Sequence, residues 1–259
     1  MDAELEQARR RVAQLEQQLA LAGQALEDFT YSVSHDLRAS LRHVTSYLKI
    51  VREDLGDGLD PTIDGHLDTA AQAAAQMGRL MDGLMVLSRA GQAELQPSDI
   101  DLAQLVSVLR GQLAPEPPRQ VEWHIAPDLP VVHADLALLG QALTHLLSNA
   151  LKFTRDCAVA QIEIGWERLD AGHCELWIRD NGVGFDTRLQ DRLFRVFQRL
   201  HSPPQYEGIG IGLAFARRVV ERHGGSIRAR GDLAPGCQIT LTLPLAAQPM
   251  ADAHRTWRA

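Results

Sequence analysis

The chain has 259 residues, a formal net charge of -7 at pH 7 and a hydrophobic fraction of 45%. This length allows one large domain or two of ordinary size, and the acidic balance argues against a nucleic-acid partner. No run of about 18 apolar residues occurs, so we expect no membrane span. Cys157, Cys174 and Cys237 have no metal-ligand spacing, which is typical of a reducing, cytoplasmic location.

The first stretch predicts a coiled coil, because two sets of apolar residues repeat every seven positions. The first set is Leu5, Val12, Leu19, Leu26 and Val33, and the second is Ala8, Leu15, Ala22 and Phe29. This pattern over about four heptads favours a dimeric coiled coil over one amphipathic helix docked on its own domain.

The coiled-coil pattern runs into a helix that we expect to end near Leu55. The segment 56–61 then breaks it, because two glycines and a proline cannot continue a helix. A second helix is predicted from about 62 to 90. The resulting hairpin buries little alone, so we expect two hairpins to pair as a four-helix bundle.

The polar stretch 91–100 contains a proline and predicts a domain boundary, beyond which strands and helices alternate. Strands are predicted at 121–125, 161–166, 173–178, 226–230 and 238–243, and helices near 102–113, 134–153, 186–199 and 211–223. We therefore predict an α+β sandwich with helices on one face of a mixed sheet. The pair Pro235 and Gly236 predicts a hairpin between the last two strands, and the tail after Leu245 has no periodicity.

A glycine-rich turn formed by Gly208, Gly210 and Gly212, followed by Leu213, opens the last predicted helix. Glycines let the backbone approach a phosphate, and a helix N-terminus supplies free N–H groups and a positive dipole. No strand directly precedes the turn and no lysine follows in the P-loop arrangement, which disfavours both of those folds. A plain loop is the alternative.

Asp180 follows directly on a predicted strand, and Gly182 and Gly184 come next. A carboxylate at a strand end can accept a hydrogen bond from an exocyclic amine, and the glycines leave room for a base. The alternative is an ordinary β-turn with an Asx contact. Beside the glycine-rich turn, adenine binding is the favoured interpretation.

The helix at 141–153 carries His145, Asn149 and Lys152 at spacings of four and three, so these side chains share one face. Asn149 offers a carbonyl oxygen to Mg²⁺, which prefers hard oxygen ligands. Lys152 can reach phosphate oxygens. The alternative of a merely exposed lysine is disfavoured because Asn149 lies on the same face.

His35 lies within the first helix, with Asp36 next to it and Arg38 three residues on. A histidine in this setting is usually solvated or packed. However, neutral imidazole is a good nucleophile near pH 7, and Asp36 can hold the ring and take its proton.

The His35 segment, the helix with Asn149, the Asp180 turn and the glycine-rich turn resemble the H box, the N box and the two glycine boxes of a sensor histidine kinase core. Among such kinases they are most similar to the phytochrome-associated ones. The ATP-binding part resembles the Bergerat-type domain shared with gyrase, heat-shock chaperone ATPases and mismatch-repair ATPases. The resemblance implies a mobile lid at 185–207, an F box with Phe194 and Phe197, and a γ-phosphate contact from Arg199. The implied nucleotide-site residues are Asn149, Lys152, Phe153, Asp180, Gly182, Gly184, Arg199, Gly208, Gly210, Gly212 and Leu213.

The resemblance also implies function and organisation. ATP with Mg²⁺ would phosphorylate His35, with Asp36 and Arg38 completing the catalytic set, and the phosphoryl group would pass to an aspartate of a response regulator. The expected partners are a second copy, a receiver domain and a sensor module that is separate or has been removed. The implied parts are a coiled-coil signalling helix at 1–25, a dimerisation and phosphotransfer domain at 26–93, a catalytic ATP-binding domain at 98–246 and a flexible tail at 247–259.

Three residues depart from the family pattern. Ser40 stands where proline is usual, so we expect the helix to bend less. Ala39 stands where relatives with phosphatase activity usually carry threonine or asparagine, which predicts weak or absent phosphatase activity. His145 stands where the N box often has its first asparagine, while Asn149 keeps the ligand position.

Two other functions fit part of the pattern. A Bergerat-type ATPase of the gyrase or chaperone class would use the nucleotide segments but leave the His35 segment unused. A nucleotide-binding dimeric scaffold without kinase activity is the second, and the intact Asn149 and Asp180 argue against it.

Overall fold

A computed structural model describes residues 2–56, 59–113, 115, 118–200, 206–231 and 236–247. The chain forms two compact units, Met1–Ala93 and Glu94–Ala259. The finer division into a signalling helix, a phosphotransfer domain, an ATP-binding domain and a tail stays a prediction. Most of the predicted tail and Pro235 of the predicted hairpin turn lie outside the described residues.

The first unit consists of two long helices, α1 (Asp2–Leu55) and α2 (Pro61–Gln92). Both predicted helices are confirmed, and α1 runs without a break through Ser40. Gly56 has a φ of 66°, a left-handed conformation that glycine adopts at a helix end without steric cost. The Asp60 side chain then caps α2 by accepting a hydrogen bond of 2.7 Å from the Thr62 N–H.

The hairpin buries few side chains and leaves large apolar ones exposed. Its buried residues include Ser34, Ala74, Met85, Ser88 and Ala90. Ion pairs join the two helices, from Arg38 to Asp82 and from Arg52 to Asp64. In the single chain Phe29 is 65% exposed, although it occupies a predicted position of the coiled-coil seam. The apolar stripe of α1 is therefore only partly covered by α2.

The second unit contains seven strands and four α-helices within the described residues. They are β1 (Pro97–Asp101), α3 (Leu102–Gln112), β2 (Val121–Ile125), β3 (Val131–Asp135), α4 (Leu136–Phe153), β4 (Ala160–Arg168), β5 (His173–Asp180), α5 (Gln190–Leu193), α6 (Gly212–Arg222), β6 (Ile227–Arg230) and β7 (Cys237–Pro244). The main sheet has the order β2-β4-β5-β7-β6, and β1 and β3 form a separate antiparallel pair. Since β2 and β4 are parallel and the other pairs antiparallel, the predicted mixed sheet is confirmed.

The core of this unit lies between one face of the sheet and the helices. Alternate residues of the central strands are buried on that face, as the period of two requires. They include Ile162 and Ile164 of β4, Leu176 and Ile178 of β5, and Leu241 and Leu243 of β7. Helix α4 contributes Leu139, Leu143 and Leu147, which are likewise buried. This packing confirms the predicted α+β sandwich and fixes α4, which carries the N-box side chains, against the sheet.

One predicted helix was wrong. The helix expected at 186–199 is only a 3-10 turn at Thr187–Leu189 followed by the short α5. Phe197 has a φ of 63°, and its N–H donates to the Gly210 carbonyl at 2.9 Å. The backbone therefore bonds to the glycine-rich turn instead of continuing a helix.

Strands β1 and β3 were not predicted. Pro97 was interpreted as part of a domain boundary, yet a proline is tolerated as the first residue of a strand. The helix expected from 134 begins at Leu136, because Ala134 and Asp135 still belong to β3. No helix in the described part of the chain is both long and apolar enough to cross a membrane.

Candidate nucleotide site and phosphoacceptor

Helix α4 is fixed at both ends. At its start the Asp135 carboxylate accepts hydrogen bonds from the backbone N–H groups of Leu138 and Gln96, each at 3.0 Å. At its end the Arg119 guanidinium donates to the carbonyl oxygens of Leu151 and Thr154. A cation on the last carbonyls of a helix satisfies groups that have no partner within it. The last two turns of α4 are thereby held in place.

Those last turns present Asn149 and Lys152 side by side, as the sequence predicted. The Lys152 Nζ donates to the Asn149 Oδ1 at 2.9 Å and lies 4.4 Å from the centroid of the Phe153 ring. Burial lowers the pKa of Lys152 to about 8, and the positive charge of Arg199 adds to this effect. A half-buried ammonium that has lost hydration gains strongly from an anionic ligand.

Asp180 is the last residue of β5 and is 8% exposed. Burial raises the pKa of its carboxyl to about 6, while hydrogen bonds from the backbone of Gly182 and Cys237 act in the opposite direction. The Gly182 N–H donates to its Oδ1 at 2.9 Å. A carboxylate has room for further donors, so this one can accept an exocyclic amine.

The loop after β5 lies directly on the C-terminal end of α4. The Val183 N–H donates to the Phe153 carbonyl oxygen at 3.3 Å, and a Cβ at Gly182 would come within 2.5 Å of that same oxygen. Only glycine fits at this approach. The contact brings Asp180 to the helix end that carries Lys152, although the two are far apart in sequence.

The glycine-rich turn meets the same face of α4. A Cβ at Gly208 would lie 3.6 Å from the Lys152 Nζ, and one at Gly212 would lie 3.2 Å from the His145 Cβ. Helix α6 then begins at Gly212, and no side chain of the described residues caps its first N–H groups. Leu213 occupies its first turn. Uncapped N–H groups at a helix N-terminus can bind phosphate oxygens.

Arg199 and the F-box phenylalanines lie in the segment between the two glycine boxes. Phe194 is buried and Phe197 is exposed. The Arg199 guanidinium donates to the Tyr206 carbonyl oxygen, and the Tyr206 ring centroid lies 5.1 Å from that of Phe153. Arg199 is thus near the site, while its contact with a γ-phosphate stays a prediction. Residues 201–205 of the predicted lid lie outside the described residues.

The phosphoacceptor candidate lies in the helical hairpin. The His35 side chain is 64% exposed, and its Nδ1 lies 3.3 Å from the Asp36 Oδ1. When Nδ1 carries the proton and donates it to Asp36, the Nε2 lone pair faces solvent. Arg38 pairs with Asp82 of α2, and no described contact joins it to the His35 ring. Asp36 is therefore placed to orient His35, whereas Arg38 links the two helices.

Three contributing residues were not anticipated from the sequence. Tyr206 packs on Phe153, Arg119 holds the end of α4, and Asp82 pairs with Arg38. An aromatic residue just before the second glycine box was the available signal for Tyr206. The other two depend on contacts between distant segments, which a local pattern does not contain.

Comparisons with known proteins agree with this geometry. The family described as histidine kinase-, DNA gyrase B-, and HSP90-like ATPase matches residues 134–247. Cyanobacterial phytochrome B of Nostoc sp. is 35% identical over 90% of this chain and 31% of its own length. The methanogenesis regulatory histidine kinase FilI of Methanothrix harundinacea is 33% identical over 85% of this chain and 24% of its own. The chain thus spans at most about a third of these relatives.

Adaptive-response sensory kinase SasA of Synechococcus sp. is 28% identical over 95% of this chain and 65% of its own length. The crystal structure of full-length ShkA in complex with AMPPNP shares the fold, with a TM-score of 0.60 and 22% identity over 86% of this chain and 47% of that one. These relatives favour neither the gyrase-type ATPase nor the scaffold. Residues 134–247 thus match an ATPase family that includes histidine kinases, and the chain is similar to histidine kinases over 85–95% of its length.

Proposed function

We propose that the chain is a homodimeric, ATP-dependent protein-histidine kinase. It would transfer the γ-phosphoryl group of ATP to His35 and then to an aspartate of a response-regulator receiver domain. The observation that carries the proposal is an exposed His35, oriented by Asp36, in the same chain as a unit that brings the buried Asp180 carboxylate to the helix end carrying the half-buried Lys152. The histidine is suited to accept a phosphoryl group, and the carboxylate and lysine are suited to bind ATP.

ATP would bind across the junction of β5, α4 and α6. The Asp180 carboxylate would accept a hydrogen bond from the exocyclic amine of adenine, because it is buried at the strand end with acceptor capacity left. Lys152 and the uncapped N–H groups of α6 would bind the phosphates. Arg199 would contact the γ-phosphate once its bond to the Tyr206 carbonyl is exchanged.

Asn149 fits the Mg²⁺ ion that accompanies ATP. Its Oδ1 is a hard oxygen donor, and it lies 2.9 Å from Lys152 Nζ on the helix face that meets the glycine-rich turn. Mg²⁺ bound there would neutralise charge on the phosphates. The lysine and Arg199 would supply further positive charge at the same place.

The transfer balances with the groups in this chain. The neutral Nε2 of His35 forms the N–P bond as the bond between the γ-phosphorus and the bridging oxygen breaks, and ADP leaves. Asp36 takes up the Nδ1 proton that the imidazolium can no longer hold. In the second step an aspartate oxygen of the regulator forms the O–P bond, Asp36 returns the proton to Nδ1 as the N–P bond breaks, and His35 leaves as the neutral imidazole.

A second copy of the chain would cover the exposed apolar stripe of α1. Phe29, Leu26 and Val33 are large apolar residues that α2 leaves exposed, although they fall on the seam of the heptad pattern. Two hairpins would then form a four-helix bundle, with His35 still accessible on its surface. The receiver domain of the regulator would dock near His35 on this surface.

Incubation with γ-labelled ATP and Mg²⁺ tests the proposal. Wild type should acquire label that is stable to alkali and lost in acid, and His35→Gln should acquire none. His43→Gln is the matched control, because it removes another imidazole of α1 two helical turns away. Equal labelling of wild type and His35→Gln would refute the assignment of the acceptor. ATP hydrolysis without any labelled protein would favour the gyrase-type ATPase.

A further inference from the structure

His145 lies on α4 four residues before Asn149, on the face that meets the glycine-rich turn. Its ring packs edge-on against Phe215 of α6, with centroids 5.2 Å apart and planes at 70°. A Cβ at Gly212 would lie 3.3 Å from its Nδ1. The imidazole therefore borders the turn where the phosphates of a nucleotide would bind.

The imidazole of His145 makes no hydrogen bond or ion pair among the described residues, in contrast to Lys152 and Asn149, which bond to each other. In the described part of the chain, Thr187 Oγ1 is the one fully buried side-chain nitrogen or oxygen without a hydrogen-bond partner. The two unbonded nitrogens of His145 are therefore not fully buried, and both keep access to solvent. A half-buried polar ring with two accessible, unbonded nitrogens is able to bind a ligand in the site.

We propose that His145 and Asn149 together ligate the divalent cation of the bound nucleotide, and that this pair favours Mn²⁺ and other first-row transition ions over Mg²⁺. The inference rests on the proposed nucleotide site. Two donors at positions i and i+4 of one helix face can hold a single ion, as paired histidines do in zinc proteases. With only two protein ligands, phosphate oxygens and water would complete the coordination.

The chemistry of the two donors sets the preference. Imidazole nitrogen suits transition metals, whereas Mg²⁺ prefers oxygen ligands and keeps its water. A direct phosphate contact is the weaker assignment, since Lys152 and the glycine-rich turn already supply donors for phosphate.

Pulsed electron paramagnetic resonance on the full chain with Mn²⁺ and a non-hydrolysable ATP analogue tests the ligation. Wild type should show coupling of the Mn²⁺ spin to an imidazole nitrogen, and His145→Asn should lose it. His124→Asn, which removes an exposed imidazole from β2, should retain it. Coupling that persists in His145→Asn would overturn the proposal, as would its absence from wild type carrying bound analogue.

Metal-dependent affinity gives a second readout that separates a ligand from a structural residue. His145→Asn should weaken binding of the Mn²⁺ analogue complex by about tenfold or more, with a change of less than about threefold for the Mg²⁺ complex. Equal losses with both ions would indicate damage to the pocket and refute the preference. If wild type bound the analogue with neither ion, the proposed nucleotide site would fail as well.

Discussion

The two units of this chain bury their residues in opposite ways. In the nucleotide-binding unit the apolar faces of α4 and the sheet cover each other, and Leu143 is fully buried. In the hairpin unit most large apolar residues of α1 remain exposed, including Phe29 and Leu26. The apolar side chains of the nucleotide-binding unit are covered within the chain, whereas many of those of the hairpin are left exposed, as expected of a surface that a partner covers. The comparison predicts an intramolecular core in the first and an intermolecular one in the second.

The same contrast extends to the reactive groups. Asp180 and Lys152 are withdrawn from solvent, and burial moves the pKa of each toward neutrality. His35 is exposed, and its Nδ1 lies 3.3 Å from the Asp36 Oδ1. A site that binds a charged ligand gains from charges that have lost hydration, whereas the proposed transfer requires His35 to be reached first by ATP and then by an aspartate of the regulator.

The largest expected effect is on the core of the nucleotide-binding unit. Leu143→Ala should lower its free energy of unfolding by about 2–5 kcal/mol, because the cavity left among buried residues cannot fully collapse. Urea denaturation should show this loss to be independent of protein concentration. An exposed leucine gives the control: Leu169→Ala should change stability by less than about 0.5 kcal/mol. A loss at Leu143 no greater than at Leu169 would contradict the described core.

The hairpin should respond through association. Phe29→Ala removes a ring that is 65% exposed in the single chain. If a second copy covers this ring, its removal should weaken association by about 1.5–3 kcal/mol per chain, because less apolar surface is then buried in the dimer. Sedimentation equilibrium over a range of concentrations measures the dissociation constant. Leu21→Ala, at an exposed leucine of α1 that belongs to neither predicted seam set, serves as the comparison. An unchanged dimer in Phe29→Ala would show that the stripe faces solvent.

ATP affinity should depend on pH at both edges of the neutral range. Because the pKa of Asp180 is raised to about 6, acidification through that value protonates the acceptor and weakens adenine binding. Because the pKa of Lys152 is lowered to about 8, alkalinisation through it removes the phosphate-binding charge. Each limb should approach about tenfold per pH unit at most, which equals about 1.4 kcal/mol.

Isothermal titration at several pH values measures both limbs. Lys152→Gln should bind ATP more weakly at neutral pH and lose the alkaline limb, while keeping the acidic one. Asp180→Asn should lose the acidic limb in the same way. An affinity that stays constant from pH 5 to pH 9 would show that neither group contacts the nucleotide.

The smallest expected effect concerns the ion pair between Arg38 and Asp82. The Asp82 side chain is largely exposed, so solvent screens the pair and the coupling should be about 0.2–1 kcal/mol. A double-mutant cycle of Arg38→Gln and Asp82→Asn, read by thermal unfolding, isolates it. Coupling above that range would mean that the second copy of the hairpin buries the pair.

The sequence predicted those parts of the fold that depend on local periodicity. The heptads predicted the first part of α1, the glycines and proline at 56–61 predicted its end near Leu55, and the spacing of Asn149 and Lys152 predicted their shared face. The prediction was wrong where a hydrogen bond between separate segments overrides the local preference for helix. The residues around Phe197 have helical spacing, but the Phe197 N–H bonds to Gly210 and the chain leaves the helix.

The sequence singled out candidate site residues, but it did not show how the fold brings them together. The contact of the Asp180 loop with the Phe153 carbonyl joins segments that no pattern relates. The same holds for Tyr206 against Phe153 and for Arg119 at the end of α4. These contacts depend on the packing of the whole unit, which periodicity and turn patterns in the sequence do not reveal.

Phosphorus NMR of the full chain after incubation with ATP and Mg²⁺ tests phosphoryl transfer to His35 most directly. We predict a phosphoramidate signal on an imidazole Nε2, because Nδ1 is engaged by Asp36, together with its absence from His35→Gln. Peptide mapping should assign the modified residue to His35. A phosphoryl group found on another residue, or none on a chain that binds ATP, would contradict the proposed kinase.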